Sequence, residues 1–320
     1  RHPFELAVER ATIEAEHLRR ASLVAIESRQ HLAQVALFHH VHGREIEDFR
    51  SLFLADKEAY VQAGIDVHYE TRVTAVDLDG QSVQVQEKGG RRSEIRYDRL
   101  VLATGFDYAN PGVPGIDLAG LYYVKNIRRA MKWDKVPDSV SRAVVVEATP
   151  LGLEMTTALA HRGIATHLID PHPWPLAEVA DPDVMAPVEE SWAEMGVITH
   201  YNTKLEAFLG DGRVSAVATS TGELPCDIAV VCTHKRPNNR LARAAGLEVG
   251  STGGLIVDER LETTWRGVFA AGDCAELPHG VTWIPVQGLS GSHAYAQGKV
   301  AGANAAGGNR VYSPVYVPWA

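Results

Sequence analysis

The sequence predicts an α/β protein in which parallel sheets carry small antiparallel insertions. Two stretches of the chain provide the main signal, since each reads as a helix followed by an apolar strand that ends in an acid. In the first, residues 5–20 precede residues 22–27, and in the second, residues 151–162 precede residues 165–170. A buried-type strand at 142–146 comes before the second helix. Strand, turn, helix and strand with a terminal acid form the βαβ unit of a doubly wound sheet.

Alternating apolar and polar residues between turn-forming residues predict the antiparallel insertions. Residues 67–69, 72–77 and 82–86 are predicted as short strands, and the Lys-Gly-Gly-Arg-Arg tract at 88–92 as a hairpin turn. Residues 205–221 are predicted as a second hairpin.

Further buried strands are predicted where short apolar runs meet a glycine or an acid. These runs cover residues 100–104, 226–232, 254–257 and 267–273. The Pro- and Gly-rich residues 110–115 are predicted as a linker. A final helix is predicted from about residue 289 to 306, where small residues suit close packing.

Composition and charge exclude several classes of function. The 320 residues include 31 Lys and Arg against 40 Asp and Glu, a net charge of −9, whereas nucleic-acid binding needs a basic surface. No run of about 18 apolar residues is present, so no membrane span is expected. The polar start Arg-His-Pro-Phe-Glu-Leu does not resemble a signal peptide. Three cysteines without a CxxC pair give no disulfide framework, which predicts a reducing, cytoplasmic location.

The cysteines and histidines offer no thiol or metal site. Cys226 and Cys232 lie on one predicted strand with even spacing, which predicts that they face the same side about 20 Å apart and cannot pair. Cys274 is predicted to be a small buried residue. Residues 39–42 hold the one tight histidine cluster. No nearby cysteine or paired acid completes a zinc set there, so we expect a loop and no metal.

Three ordered stretches of the chain identify a family resemblance. Residues 100–115 (Leu-Val-Leu-Ala-Thr-Gly…Pro-Gly), 150–163 (Pro-Leu-Gly-Leu-Glu…Arg-Gly) and 267–276 (Gly-Val-Phe-Ala-Ala-Gly-Asp-Cys-Ala-Glu) resemble the FAD-dependent pyridine nucleotide–disulfide oxidoreductases. The resemblance is to the CoA-disulfide reductase and NADH oxidase branch in particular. It implies two nested Rossmann-like domains. The FAD-binding-like domain would hold residues 1–120 and 252–320, and the NAD(P)-binding-like domain residues 121–251.

The resemblance also implies a set of FAD-binding residues in the first domain. An acid at the end of the second strand accepts bonds from ribose hydroxyls, and Glu27 fits that position. Thr104 and Gly105 would lie beside the adenine half of FAD. Asp273 would bond the ribityl chain, with Gly272 allowing close backbone approach. The last helix would aim its positive end at the flavin pyrimidine ring, where Gly288 leaves room.

In the second domain the resemblance implies an NADH site. Gly152 matches the third glycine of the phosphate-binding turn, and Asp170 fits the acid that bonds the ribose. An acid at that place disfavours a 2′-phosphate, which favours NADH over NADPH. Glu154 is expected near the nicotinamide pocket, although it could instead be an acid that stabilises the first turn of its helix.

Four departures from the family pattern affect these expectations. The strand and the glycine motif that should precede residues 5–20 are missing, so we expect an upstream segment or a donated strand. In the second glycine motif, Glu147 and Thr149 replace the first two glycines, and a carboxylate there repels a pyrophosphate. Residues 30–42, which should hold the redox cysteine, contain none. The C-terminal interface domain of the family is also missing.

Two functions remain open at this point. The first is a flavin-dependent oxidoreductase that uses FAD, with or without NADH, to reduce an unidentified small acceptor without a redox cysteine. The second is a non-catalytic family member that serves as a structural or partner subunit of a larger complex. The expected partner is a small substrate or electron acceptor. Where no upstream segment supplies the missing N-terminal strand, a protein that supplies or covers it is expected as well.

Overall fold

A computed structural model describes residues 57–123, 139–280, 282–287 and 291–313. The predicted strand at 22–27, the histidine cluster at 39–42, Glu27 and Gly288 therefore lie outside the described residues.

The described residues form five α-helices and eighteen strands. The helices are α1 (Lys57–Gln62), α2 (Pro150–His161), α3 (Pro182–Glu194), α4 (Arg240–Ala244) and α5 (Gly291–Ala305). The first nine strands are β1 (Thr71–Asp77), β2 (Ser82–Glu87), β3 (Arg92–Arg96), β4 (Leu100–Leu102), β5 (Phe106–Tyr108), β6 (Leu121–Tyr123), β7 (Arg142–Val146), β8 (Ala165–Ile169) and β9 (Ile198–His200). The others are β10 (Leu205–Asp211), β11 (Arg213–Thr219), β12 (Gly222–Pro225), β13 (Ile228–Val231), β14 (Lys235–Pro237), β15 (Leu255–Ile256), β16 (Val268–Ala270), β17 (Ala275–Pro278) and β18 (Pro285–Gln287).

The chain divides into two compact units. Among the described residues, the first unit holds 57–107 and 236–313, and the second holds 108–123 and 139–235. The sequence had placed residues 108–120 with the first domain and 236–251 with the second. The assignment of the units to FAD and NAD(P) stays a prediction.

Close backbone packing explains why residues 108–120 belong to the second unit. Phe208 N donates to Pro114 O at 2.9 Å, and Ala119 N donates to Gly212 O at 3.0 Å. Gly115 has a φ of +82°, and a Cβ on it would lie 2.0 Å from the carbonyl oxygen of Phe208. The predicted linker at 110–115 is therefore packed against β10. Residues 236–251 pack in the first unit, where Ala242 and Leu247 of this segment join the buried core.

The first unit combines an antiparallel β-meander with parallel strand pairs. Strands β1, β2 and β3 pair in order, and a turn at 88–91 joins β2 to β3. This confirms the strands predicted at 72–77 and 82–86. It also confirms the turn predicted at 88–92, except that residue 92 already belongs to β3. The strand predicted at 67–69 is wrong, since these residues are coil and turn. Glu70 has a φ of +52°, and this left-handed residue interrupts the extended backbone just before β1.

The second unit is built on a five-stranded parallel sheet. Its strands run in the order β6-β13-β7-β8-β9, and every neighbouring pair is parallel. Helix α2 connects β7 to β8, which confirms the βαβ unit predicted over 142–170. One face of the sheet packs against α2 and α3, and the other packs against the hairpin strands β10 and β11.

The structure corrects the placement of two cysteines. Cys232 packs in the same core cluster as Val230, but Cys226 packs in the cluster on the opposite face of the sheet. The expectation that the two thiols face the same side is therefore wrong. The even spacing fails because β13 begins only at Ile228, and before it Cys226 N donates to Ser215 O at 2.9 Å.

Trp192 gives a test of the packing of α3 in the second unit. Its side chain is 1% exposed, and its Nε1 donates to Thr157 Oγ1 of α2 at 2.8 Å. We expect Trp192→Ala to lower the free energy of unfolding by about 3–5 kcal/mol because it leaves a large cavity. Trp283, which is 74% exposed, is the matched control, and its replacement by alanine should cost under about 0.5 kcal/mol. Denaturant titration of both variants makes the comparison, and equal losses would contradict this packing.

Candidate functional site

Parallel pairing of β4 with β16 brings two predicted turns to one edge of the first unit. Leu102 pairs with Ala270, and Ala271 N donates to Leu102 O at 3.0 Å. Thr104 and Gly105 follow β4, while Gly272 and Asp273 follow β16. Ligands of open α/β sheets bind outside the carboxyl ends of the strands. The structure therefore brings four of the predicted FAD-binding residues together at such an edge.

The turn after β16 is held by a buried glutamine of the last helix. Gly272 has a φ of +78°, and its N–H donates to Gln297 Oε1 at 2.7 Å. Gln297 is 2% exposed and Asp273 is 5% exposed. A Cβ on Gly272 would lie 3.3 Å from Ala294 Cβ. The turn thus requires glycine, and α5 fixes its position next to a buried carboxyl group.

The turn after β4 is held by Asn238, which lies 134 residues further along the chain. Thr104 Oγ1 donates to Asn238 O at 2.6 Å, and Asn238 Nδ2 donates to Thr104 O at 3.0 Å. Asn238 N also donates to Gly105 O at 2.9 Å. Sequence reasoning missed both Asn238 and Gln297, since neither belongs to a local pattern.

The described part of the first unit fits the FAD role that the resemblance implies. A left-handed glycine lets a ligand come close to the backbone, and the buried Asp273 offers acceptors for the hydroxyl groups of a ribityl chain. Glu27, Gly288 and the first glycine turn lie outside the described residues. The individual FAD contacts stay predictions.

In the second unit, the turn between β7 and α2 keeps the backbone shape of a glycine motif with other residues. Glu147 stands at the first glycine position and has a φ of +71°, a conformation that costs a non-glycine residue about 1–3 kcal/mol. A Cβ on Gly152 would lie 2.0 Å from the carbonyl oxygen of Glu147. Gly152 is therefore needed for the close packing of α2 on the strand. A cofactor contact by Gly152 stays a prediction.

Protein groups occupy most of the amide donors at this turn. Thr149 caps α2, since its Oγ1 accepts from Gly152 N at 3.2 Å and donates to Cys232 O at 2.7 Å. Pro150 is the first helical residue and has no N–H. Ala148 N donates to the carboxylate of Asp170.

The oxygens of Asp170 are bonded to the protein itself. The residue is 3% exposed. Besides Ala148 N, its carboxylate accepts from His172 N at 2.7 Å, and Oδ1 lies 2.8 Å from His172 Nδ1. Asp170 therefore closes the loop after β8 onto the turn after β7. Its predicted bond to a ribose is not tested by these contacts and stays a prediction.

The carboxylate of Glu147 points to the segment after β13. Its Oε2 accepts from His234 N at 3.2 Å and lies 3.8 Å from His234 Nδ1. Desolvation by burial raises the pKa of Glu147, while the charge and N–H of His234 oppose the rise. Asp170 adds to the rise and His172 opposes it. This residue stands where a dinucleotide pyrophosphate would lie.

Glu154 does not stabilise the helix start, because α2 has no acid in its first turn. It is the fifth residue of the helix. Desolvation raises the pKa of its carboxyl group, and the charge on Lys235 opposes the rise. Its predicted place near a nicotinamide stays a prediction.

Taken together, the residues of the second turn do not fit a pyrophosphate in the usual pose while the Glu147 carboxylate is ionised. Glu147 replaces the first glycine of the motif. The amides of Ala148 and Gly152 are bonded to protein oxygens, and Pro150 has no N–H.

Comparison with known proteins decides the family. The family profile described as pyridine nucleotide-disulphide oxidoreductase matches residues 7–305. The chain belongs to this family. The resemblance read from the sequence is therefore confirmed, and so is the α/β fold of Rossmann-like FAD- and NAD(P)-binding domains.

Several relatives and solved structures are similar to the chain. An NADH oxidase of Methanocaldococcus jannaschii is 31% identical over 274 residues, which cover 84% of this chain and 61% of that protein. The CoA-dependent NAD(P)H sulfur oxidoreductase of Pyrococcus abyssi is 32% identical over 258 residues, 76% of this chain and 54% of the relative. The structure of an NAD-dependent persulfide reductase from A. fulgidus has a TM-score of 0.87 at 28% identity, covering 97% of this chain and 59% of that chain.

The chain spans between half and two thirds of the length of these proteins. All three carry oxidoreductase names, and nothing in the comparisons supports the alternative of a non-catalytic subunit. In the part of the chain that the structure describes, no helix has the length and apolar character needed to cross a membrane.

Gly152 gives a test of the second turn. We expect Gly152→Ala to destabilise the second unit by more than about 1 kcal/mol, because the added Cβ meets the Glu147 carbonyl and pushes α2 from the sheet. Gly298→Ala is the matched control, since this helical glycine has no atom within 4 Å of an added Cβ. There alanine should stabilise the helix by up to about 1 kcal/mol. Thermal unfolding of the two variants measures both changes, and a neutral Gly152→Ala would contradict the close approach.

Proposed function

We propose that this chain is the dinucleotide-binding part of an FAD-dependent NAD(P)H oxidoreductase that reduces a small acceptor without a redox cysteine. The juxtaposition of Thr104, Gly105, Gly272 and Asp273 at the carboxyl edge of β4 and β16 carries the proposal. The names of the relatives, which include NADH oxidases and an NAD(P)H sulfur oxidoreductase, support it.

In this proposal the first unit holds FAD. Asp273 accepts bonds from ribityl hydroxyls, and Gly272 allows the cofactor to approach the backbone. Gln297 and Asn238 keep the two turns in position. The helix α5 presents its positive end to the flavin, which favours the anionic reduced form. FAD would supply the hydride-transfer chemistry when bound.

The second unit takes the NAD(P)H, with NADH favoured by the acid Asp170. Glu154 lies on the helix that follows the turn and belongs to the proposed nicotinamide pocket. The acceptor receives electrons from the flavin without a thiolate relay.

The burial of the three cysteines supports an acceptor reduced without thiol chemistry. Cys226, Cys232 and Cys274 are all buried. Burial raises the pKa of the Cys226 thiol to about 12 and that of Cys232 well above its ordinary value. It also raises the pKa of Cys274. Since the thiolate is the reactive form, none of these groups is poised for exchange.

The FAD site is tested by the visible absorption of the purified protein. We expect Asp273→Ala to weaken FAD retention at least about tenfold, which corresponds to about 1.4 kcal/mol. Asp273→Asn should lose less, because the amide keeps one acceptor. Asp98→Asn, which changes an exposed acid of the first unit, is the control and should stay yellow. A wild-type protein that takes up no FAD on reconstitution would contradict the proposal.

The role of the thiols is tested by replacing all three cysteines with alanine or serine. We expect anaerobic reduction of the flavin by NADH and subsequent turnover to keep their wild-type rates in every variant that folds. Stopped-flow absorbance measures both steps. A variant that folds and binds FAD but no longer turns over would show that a thiol takes part.

A further inference from the structure

The second turn has a negative side chain where its fold class places a negative ligand. In βαβ units that bind dinucleotides, the pyrophosphate lies at the helix N-terminus after the glycine turn. Here Glu147 occupies the first position of that turn in a left-handed conformation. Its carboxylate already accepts the N–H of His234 at 3.2 Å.

Two of the amide donors that would compensate for this charge are already bonded to the protein. The amide of Ala148 is bonded to Asp170, and that of Gly152 to Thr149. Position 150 is a proline. The positive end of α2 is thus partly satisfied by side chains of the protein, which weakens its attraction for an anion.

Four charged or titratable side chains face Glu147 from the packed segments around it. Cys232 directly follows β13 and His234 comes two residues later, while Asp170 and His172 follow β8. Burial raises the pKa of the Cys232 thiol well above its ordinary value, so this thiol stays neutral. Asp170 carries the same sign as Glu147, so a pyrophosphate at this turn would meet two acids. A neutral Glu147 removes its own part of that repulsion and leaves the His234 bond intact.

We propose that Glu147 determines the affinity of the second unit for dinucleotides, such that the pyrophosphate binds at this turn only when Glu147 takes up a proton. The inference rests on the proposed function and deepens it, since it identifies the residue that limits NADH binding. Affinity for NADH should rise as the pH falls through the pKa of Glu147, because the anionic ligand favours the protonated carboxyl. Burial raises that pKa in the free protein, which brings proton uptake closer to neutral pH.

ADP-ribose is the probe of choice because it contains the pyrophosphate and lacks the nicotinamide. Calorimetric titration of the FAD-loaded protein in buffers of different ionisation enthalpy gives both the affinity and the number of protons taken up. We expect nearly one proton per ADP-ribose in the wild type and a clearly smaller number in Glu147→Gln. The glutamine variant should bind ADP-ribose at least tenfold more tightly. Adenosine, which has no phosphate, should bind the two proteins equally.

Glu194→Gln removes an exposed acid of the same unit and should leave affinity and proton uptake unchanged. Glu147→Gly, which restores the motif residue, should gain at least as much affinity as the glutamine variant.

The outcomes distinguish the inference from the function on which it rests. Equal ADP-ribose affinity and equal proton uptake in the wild type and Glu147→Gln would overturn the inference. So would a failure of all the Glu147 variants to bind ADP-ribose at any pH. Absence of FAD binding would instead overturn the proposed function, and the ADP-ribose titration would then be run on the FAD-free wild type and Glu147→Gln, because the comparison concerns the second unit.

Discussion

Parallel pairing of short buried strands is the constraint on which both units depend. Neighbouring parallel strands end at the same edge of a sheet, and burial of their apolar side chains fixes the register in which they pair. In the first unit this register places Leu102 beside Ala270. The turns that follow β4 and β16 therefore lie next to each other. In the second unit it sets β7 beside β8, which places the loop of Asp170 against the turn of Glu147.

The parallel strands β4, β7, β8, β13 and β16 could be predicted from the sequence because each belongs to a short apolar run. Strands β6 and β9 were not predicted, since they lie at the two edges of the parallel sheet and their partly exposed residues form no such run. The local pattern of apolar and polar residues gave wrong strand bounds and side-chain faces where the backbone changes conformation. Glu70 has a left-handed backbone just before β1, and the separate strand predicted at residues 67–69 does not form. Cys226 lies before the first regular residue of β13, so the alternation of faces does not reach it. Helix α3 escaped prediction altogether, since Pro187 stands inside it and its apolar stripe is interrupted.

The residue types at the candidate sites were predictable, but their partners were not. An acid after a buried strand is a local signal, and Asp170 and Asp273 were both found through it. The hydrogen bonds that hold the turns at these sites come from residues far along the chain. Asn238 closes on Thr104 across 134 residues and Gln297 on Gly272 across 25, and no spacing rule connects such pairs. The sequence alone predicted that the Glu147 carboxylate repels a pyrophosphate. It gave no sign that the N–H of His234 would bind that carboxylate.

Gly152 lies close to the carbonyl oxygen of Glu147. This contact shows that the positions of the glycine motif have different roles. One glycine serves the architecture, because the helix can reach the sheet only where no side chain intervenes. The first position shapes the tight turn and the second lets the backbone approach a pyrophosphate. Here a glutamate and a threonine occupy these two positions, while the strand, helix and strand remain in place. A chain can therefore keep the complete βαβ scaffold after its phosphate cradle has been rebuilt. Recognising the scaffold in a sequence and recognising a nucleotide site in it are separate inferences.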